Sequence, residues 1–471
     1  MDKPDVVEKE HSEGDRTPMR DDSSLERGSK AHQEDALQDI SDPDAGKSDE
    51  ERAEIDKKLL RKLDMKLIPW LTLLYLISFL DRTNIGNAKI DGLIPDLKMS
   101  QGQYQACLSI FFVSYSLFEP LTNILLKKFR PSVFLTGSMI LWGICMTCMG
   151  LVHNFSGLAA ARFFLGMFEA GLFPGVNYYL SCWYKRSEFG IRAAIFFSAA
   201  ALAGSFGGLL AAGIIQMRGV GGKPGWAWIF ILEGLATILV GIASYWMVHD
   251  FPDEAKFLSD DDRKRVIRRL QADNQGSAKH EDFKMKYFWQ SMKDWKTYAY
   301  CVVYMGCDMP LYAFSLFLPT IIREGGFAGG STTTANLLSV PPYAAAAVLT
   351  ISLGWYADRI PNTIAWASNN LEGSYKRGVT IGVFVGWGNL NGIVSSNLYP
   401  EKNSPRYLSG HGVVLGYLAV CLLGGNIATH FLLEAENKKR RSGKMDYLIE
   451  GKSEEEIEDM GDKVPSFIYT T

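Results

Sequence analysis

Long apolar stretches alternate with short polar segments through most of this chain. Six such stretches come first, near residues 66–87, 104–126, 132–152, 157–180, 191–215 and 226–248. A charged segment follows, and then four more stretches, near residues 297–322, 335–356, 378–399 and 410–433. Each is close to the roughly 20 residues that a helix needs to cross the hydrocarbon core of a bilayer. The pattern therefore predicts an all-α polytopic membrane protein with six membrane helices followed by four.

The two ends of the chain differ from this apolar middle. They are rich in Asp, Glu, Lys, Arg, Ser and Gly and contain few aromatic residues. Such segments cannot bury enough apolar surface to fold alone. We therefore predict a disordered tail over 1–64, a first bundle over 65–249, a linker loop over 250–296, a second bundle over 297–434 and a tail over 435–471.

Lysine and arginine residues in the loops predict how the helices are oriented. They are concentrated after the second, fourth and last apolar stretches and before the ninth. These residues are Lys127, Lys128, Arg130, Lys185, Arg186, Arg192, Lys376, Arg377, Lys438, Lys439, Arg440 and Arg441. Because basic residues favour the cytosolic side of a membrane, both termini and the linker loop are predicted to be cytosolic.

Composition argues against several classes of function. The formal net charge is only −3 and the basic residues follow the loops, so nothing indicates a nucleic-acid partner. The seven cysteines mostly fall in apolar stretches, and the C-x-x-C formed by Cys145 and Cys148 has no second pair. The histidines near the stretch ends have no ligand partner at helical spacing, so we expect no metal and no cofactor. The loops contain no nucleophile and base set that would indicate an enzyme.

Charged residues inside the predicted spans are candidates for function, because a charge within the membrane is costly. The first span reads WLTLLYLISFLDRTNIGN and places Asp81 next to Arg82. The fourth reads ARFFLGMFEAGLFPG, in which Arg162 and Glu169 are about two helical turns apart and so share one face. Packed together, these two helices would form a cavity with two cations and two carboxylates.

This set of charges matches the chemistry of an anion symporter. Arginine stays charged and presents a planar fork that binds a carboxylate bidentately, whereas a desolvated carboxylate can take up and release protons. The alternative is that Asp81 with Arg162, or Glu169 with Arg82, form neutralised pairs that only hold helices together. Charge placement alone leaves both interpretations open.

Three other acids also lie within predicted spans. Glu119 lies near the cytosolic end of the second span, within reach of Lys127 or Arg130 in sequence, and we predict an ion pair at that helix end. Glu233 and Asp308 could face a cavity, but packing or helix-end roles are the favoured interpretation.

Several motifs resemble those of the anion:cation symporters of the major facilitator superfamily. They are FLDRTNIGNAKI, ARFFLGMFEAGLFPG, NILLKKFRP, WIFILEG and PNTIAWASNNLEGSYKRG. Fungal permeases for allantoate, nicotinate and related vitamins are the members that the chain resembles most, from about residue 60 to residue 435. The resemblance implies two six-helix bundles that rock around a central site. It also implies proton-coupled symport of a small organic anion by a monomer, surrounded by membrane lipids and expected in the plasma membrane.

The resemblance implies roles for residues of the first two motifs. Arg82 would contact the substrate anion, and Arg162 would support the site. Asn84, in the same motif as Arg82, is a further candidate for substrate binding. Asp81 and Glu169 would carry protons.

The chain departs from the family pattern in its second bundle. GWYADR, ending at Asp358 and Arg359, resembles the gating loop that follows the eighth helix of the family. Ile360 is followed directly by PNTIAWASNN, which resembles the far end of the tenth helix, and residues 357–377 have too few apolar residues to cross the membrane and return. The second bundle is therefore predicted to lack about two helices, with a deletion near residues 360 and 361. A non-transporting sensor or regulatory protein, or an inactive truncated carrier, is the alternative function.

Overall fold

The protein is described here by a computed structural model that covers residues 42–272, 285–356, 366–367, 370–371, 374–453, 456–457 and 460–471. These residues are mostly helical and include no strand, so the predicted all-α class is confirmed. They form one compact unit. Apolar side chains from both predicted bundles contribute to one large buried cluster.

Between residues 42 and 272 the chain forms six long helical segments, which lie where the first six apolar stretches predict them. They are α1 at Asp49–Ile90, α2 at Gln101–Lys128, α3 at Pro131–Met149, α4 at Phe155–Glu169 with α5 at Leu172–Ser181, α6 at Arg186–Ile214 and α7 at Gly225–Met247. The fourth predicted stretch is thus divided into α4 and α5. Shorter turns lie at Leu93–Asp96, Ile215–Met217 and Val220–Gly222.

The linker contains two short helices, α8 at Asp260–Ala272 and α9 at Met285–Met292. After it, the described residues form four long helical segments. They are α10 at Trp295–Glu324, α11 at Thr332–Tyr356, α12 at Ser374–Ser396, and a last segment made of α13 at Leu408–Gly416, a π-helix at Tyr417–Gly424 and α14 at Gly425–Arg441. Short 3-10 turns lie at Glu401–Asn403, Asp446–Leu448 and Gly461–Lys463.

Seven of the described helical segments are long and apolar enough to cross a membrane by length and composition. Helices α2, α11 and α12 are not among them. Helix α2 contains Glu119 and Pro120, and α11 contains Pro341 and Pro342. These less apolar helices pack against others, α2 on α12 and α11 on α6. Such packing between helices replaces part of the contact with lipid that a more apolar helix would make.

Helix α1 begins well before the predicted end of the first tail. Ser48 and Glu51 form a capping box, in which each side chain accepts a hydrogen bond from the other residue's backbone N–H. Nearer the predicted span, Arg192 Nη2 lies 2.8 Å from Asp64 Oδ2. The predicted disorder of the first tail is therefore wrong for residues 49–64, because the helix is capped and its charges pair with other parts of the chain.

Glycine residues allow α6 to approach α11 closely, as the small residues of membrane helices commonly do. A Cβ atom at Gly208 would lie 2.6 Å from the carbonyl oxygen of Asn336. A Cβ atom at Gly204 would lie 2.5 Å from the ring of Tyr343. The two helix groups, one on each side of the linker, are therefore in direct backbone contact along this pair.

Residues 460–471 pack against the second helix group through a buried set of charges. Lys296 Nζ lies 3.0 Å from Asp294 Oδ2 and 2.8 Å from Asp462 Oδ2. Lys376 Nζ lies 2.8 Å from Asp294 Oδ2 and 2.5 Å from Asp462 Oδ1. Against the opposing effect of burial, the two lysines hold the pKa of Asp294 below its ordinary value. We call these four residues the tail cluster.

The polar side chains of α14 bind the same segment. Arg440 Nη1 donates a hydrogen bond to the carbonyl oxygen of Val464 at 2.7 Å, and its Nη2 donates to the hydroxyl of Tyr469 at 2.7 Å. The predicted tail over 435–471 thus begins as part of helix α14. Its last segment packs on the bundle, because its backbone and side chains accept hydrogen bonds from buried donors such as Arg440.

Candidate functional site

Arg82 and Glu169 form a buried ion pair between α1 and α4. Arg82 Nη2 lies 2.7 Å from Glu169 Oε1, and the two side chains are 4% and 0% exposed. Ser78, one helical turn before Arg82, donates a hydrogen bond to the same oxygen at 2.5 Å. The other oxygen, Glu169 Oε2, has no hydrogen-bond partner among the described residues. Of the two neutralised pairs that the sequence allows, this one forms.

The second helix group reaches Arg82 through two neutral side chains. Arg82 Nη1 donates to the hydroxyl of Tyr312 on α10 at 2.6 Å, and that hydroxyl donates to Asn389 Oδ1 on α12 at 2.6 Å. Neither Tyr312 nor Asn389 is predicted from the sequence, because a neutral polar residue inside a span carries no charge that marks it as a functional candidate. We call Arg82, Glu169, Tyr312 and Asn389 the central site.

Aromatic rings enclose the guanidinium group of Arg82. Its central carbon lies 5.0 Å from the ring centroids of Phe79 and Tyr115 and 5.3 Å from that of Phe111. Cations at this distance are attracted by the negative face of an aromatic ring. The rings also exclude water, which strengthens the interaction between the arginine and any anion beside it.

Arg162 is fully buried but forms no ion pair with a carboxylate of the described residues. Its Nε lies 3.4 Å from the carbonyl oxygen of Cys107, and its guanidinium carbon lies 4.6 Å from the ring centroid of Phe111. Its two terminal nitrogens find no hydrogen-bond partner in the described part of the chain. Arg162 therefore adds a positive charge to the interior that no protein group described here neutralises.

Asp81 does not form the ion pair with Arg162 that the sequence left open as an alternative. Its Oδ2 accepts hydrogen bonds from Trp142 Nε1 at 3.1 Å and from Thr237 Oγ1 at 2.8 Å. No basic side chain in the described residues lies within ion-pair distance of it. Asp81 thus faces α3 and α7 within the first helix group.

Asn84 also faces the first helix group. Its side-chain amide donates a hydrogen bond to Glu233 on α7, and both residues are buried. Among the described residues its side chain forms no hydrogen bond with Arg82 or Arg162. The predicted gating-loop residues Asp358 and Arg359 lie outside the described residues.

The structure corrects the prediction for Glu119. Arg130, one of its two proposed partners at the helix end, lies 3.2 Å from Glu254 instead, and the side chain of the other, Lys127, lies outside the described residues. Glu119 is fully buried, and Asn389 Nδ2 donates to its Oε2 at 3.4 Å. The predicted pair with Arg130 is wrong because Glu119 points across the bundle toward α12, a direction that distance along the helix does not reveal.

The described interior therefore contains more acids than bases. The buried acids are Asp81, Glu119, Glu169, Glu233 and Asp308, and the buried arginines of the same region are Arg82 and Arg162. They form one ion pair among them. Unpaired charges in an apolar interior are costly and are retained where function needs them.

Residues 71–371 match the model of the Major Facilitator Superfamily. The chain belongs to this superfamily. It is therefore a multi-pass membrane transporter whose substrates are small molecules. An uncharacterized transporter of Schizosaccharomyces pombe is 32% identical over 82% of this chain and 85% of its own length. The high-affinity nicotinic acid transporter of Saccharomyces cerevisiae is 30% identical over 82% of this chain and 80% of its own.

A third relative bears on the length of the chain. The MFS-type transporter cnsO of Penicillium expansum is 31% identical, over 88% of this chain and 90% of its own. That alignment extends over 473 positions, more than the 471 residues of this chain, so the relative has positions without a counterpart here.

Among solved structures, a bacterial homologue of the human lysosomal transporter Spinster is 15% identical. It covers 85% of this chain and 91% of its own, with a TM-score of 0.48. The family assignment rests on the sequence matches alone.

Proposed function

We propose that this superfamily member is a secondary active carrier that moves a small organic anion together with protons by alternating access. The observation that carries the proposal is the buried Arg82–Glu169 pair, which lies where α1 and α4 meet Tyr312 of the second helix group. A substrate carboxylate can replace Glu169 on the arginine fork, because both present the same planar pair of acceptors. Glu169, left without its cation in an apolar interior, then takes up a proton, which links substrate binding to protonation.

The other candidate residues have supporting roles in this proposal. Arg162 supplies a second positive charge close to the anion. Asp81, which has no cation partner among the described residues, is the second proton carrier of the first helix group. Asn84 remains a candidate substrate contact. To bind substrate, its amide would have to break its hydrogen bond to Glu233.

A planar carboxylate on an unsaturated ring suits this site best, and nicotinate is the test substrate of that kind. Allantoate, which has no ring, and related vitamins are further candidates on the basis of the carboxylate alone. The rings of Phe79 and Tyr115 beside Arg82 offer flat apolar surfaces to such a substrate. The similarity to a nicotinic acid transporter supports the same class.

We further propose that the carrier works as a monomer in the plasma membrane, with both termini and the linker in the cytosol. The concentration of lysine and arginine at one set of helix ends supports this orientation.

Uptake of radiolabelled nicotinate by cells that lack their own carrier tests the proposal. The chain should take up nicotinate, and Arg82→Lys should reduce uptake by at least about tenfold, because an ammonium group cannot reproduce the bidentate fork. Arg130→Lys, at an exposed helix end, is the matched control and should leave uptake unchanged at equal membrane levels. Equal uptake by Arg82→Lys and the control would contradict the assigned role of Arg82.

The alternative is a non-transporting sensor or regulatory protein, or an inactive truncated carrier. It is favoured by the predicted deletion near residues 360 and 361 and by the unmatched positions of the Penicillium relative. A version with two membrane helices restored after Ile360 separates the cases. Uptake by the restored version alone would support the alternative, whereas uptake by neither version would exclude nicotinate as the substrate.

A further inference from the structure

Two buried carboxylates outside the Arg82–Glu169 pair lie against the backbone of α12, at glycines that are two residues apart. Glu119, on α2, is 0% exposed, and Asp308, on α10, is 4% exposed. A Cβ atom at Gly386 would lie 3.1 Å from Glu119 Oε2, and one at Gly388 would lie 2.7 Å from Asp308 Oδ2. The absence of side chains at these glycines lets both acids reach the backbone of one helix. We call Glu119 and Asp308 the carboxylate pair, which joins the two helix groups.

The carboxylate pair is not neutralised by any basic side chain of the described residues. Within the part of the chain that the structure describes, neither acid makes an ion pair, and Glu119 Oε1 and Asp308 Oδ2 have no hydrogen-bond partner. The charged basic side chain that acts on both acids is Arg82, and Arg82 is already bound to Glu169. The other titratable neighbours are Tyr115, Tyr304 and Tyr312.

We infer that the carboxylate pair is a second proton-binding site, which holds a proton while the two helix groups are closed and releases it when they separate. Both acids are buried beside α12 without a cation partner among the described residues, and ionising both in a water-free interior has a large cost in free energy. Separation of α2 from α10 and α12 admits water, which stabilises both ionised carboxylates. The role of this site in transport rests on the proposed function.

A hydrogen-bonded path connects this site to the substrate-binding arginine. Asn389 Nδ2 donates to Glu119 Oε2 at 3.4 Å, and Asn389 Oδ1 accepts from the hydroxyl of Tyr312 at 2.6 Å. The same hydroxyl accepts from Arg82 Nη1 at 2.6 Å. An anion that rearranges Arg82 and Tyr312 therefore also changes the hydrogen bonding of Glu119.

Reaction with dicyclohexylcarbodiimide tests for the bound proton without requiring transport. This probe adds to a protonated carboxyl group: the proton moves to a carbodiimide nitrogen and the carboxyl oxygen bonds to the central carbon, so an ionised carboxylate does not react. The purified full chain is treated over a range of pH, and mass spectrometry of its peptides locates the adducts. We expect adducts on the carboxylate pair at neutral pH, declining by roughly tenfold per pH unit once ionisation begins. Exposed Glu254 should remain unlabelled under the same conditions.

Single substitutions distinguish a shared proton from separate structural acids. Glu119→Gln should shift the onset of labelling at Asp308 to lower pH, because the neighbouring negative charge is gone, whereas Glu401→Gln should leave it unchanged. Absence of adducts at both acids at every pH where the protein stays folded would overturn the inference, as would an unchanged Asp308 onset in Glu119→Gln. Protection by added sodium chloride at constant pH, without protection by choline chloride, would also overturn it in favour of a metal cation. Failure of nicotinate uptake would refute the proposed substrate but would leave the labelling result intact.

Discussion

Two buried groups of charges in this molecule differ in how completely they are paired. In the tail cluster, each of two lysines lies within 3.0 Å of both aspartates. In the membrane interior around the central site, five acids and two arginines form one ion pair among the described residues. Both groups are buried, so burial alone does not separate them.

The difference indicates which group is built for stability and which for function. Desolvation of a charge is offset only when partners and hydrogen bonds surround it, as in the tail cluster. An interior that keeps unpaired acids beside a single ion pair has groups free to bind an anion or a proton. The balance of opposite charges, rather than burial, therefore distinguishes a stabilising cluster from a binding site.

Asp462→Asn should have the largest effect on stability, because it leaves two buried lysines with one aspartate. Removing one partner of a buried ion pair costs about 3 to 5 kcal/mol. We expect loss of most folded protein, or a large fall in Tm, measured by size-exclusion chromatography of a fluorescent fusion after heating. Asp253→Asn, at an exposed position, is the matched control.

A second substitution tests whether the imbalance of charges causes the loss of stability in Asp462→Asn. Adding Lys376→Gln to Asp462→Asn restores equal numbers of opposite charges and should recover part of the lost stability. If Asp462→Asn behaves like the Asp253→Asn control, residues 460–471 are not seated on the bundle, and the comparison fails.

The helices of this protein could be predicted from sequence, but their partners could not. A membrane helix must satisfy its own backbone hydrogen bonds, so each apolar stretch of sufficient length becomes one helix. Residues 49–64 were missed because their helix depends on a capping box and on distant ion partners such as Arg192. The tail cluster joins Asp462 to Lys296 across a long stretch of sequence, and no local pattern indicates such a contact.

The central site could be predicted in part for a related reason. Helical spacing places Arg162 and Glu169 on one face, but it does not say which neighbouring helix that face meets. Arg82 therefore pairs with Glu169 while Asp81 turns to Trp142 and away from Arg162. Neutral residues that complete the site have no charge to mark them in a sequence.

Glu169→Gln should abolish proton coupling and, because it leaves buried Arg82 without its carboxylate, should also lower Tm. The amide fills the same volume and Arg82 keeps its bond to Tyr312, but the side chain can no longer carry a proton. We expect accumulation driven by an imposed pH gradient to be abolished while substrate counterflow is partly retained. The paired measurement is uptake against a pH gradient and counterflow in the same vesicles. Equal losses in both would show that Glu169 is structural or binds substrate.

Arg162→Gln should have the smallest effect on stability and provides the sharpest contrast with Asp462→Asn. Arg162 contacts Phe111 and the carbonyl of Cys107 but, in the described chain, no carboxylate, so its removal leaves no acid newly unpaired. Loss of a buried unpaired charge also relieves a desolvation cost. We expect Tm to stay the same or rise by about one degree, which for a protein of this size corresponds to about 1 kcal/mol.

The same variant should bind the anion more weakly, because a positive charge close to Arg82 is lost. We expect a several-fold increase in the KM for nicotinate with little change in the maximal rate, since proton coupling at Glu169 is untouched. Arg82→Gln is the matched comparison, and it should lower Tm because Glu169 is left buried without a cation. If Arg162→Gln lowers Tm as much as Arg82→Gln does, Arg162 pairs with a carboxylate in the folded protein. The interior would then be balanced like the tail cluster, and charge balance would no longer separate the two regions.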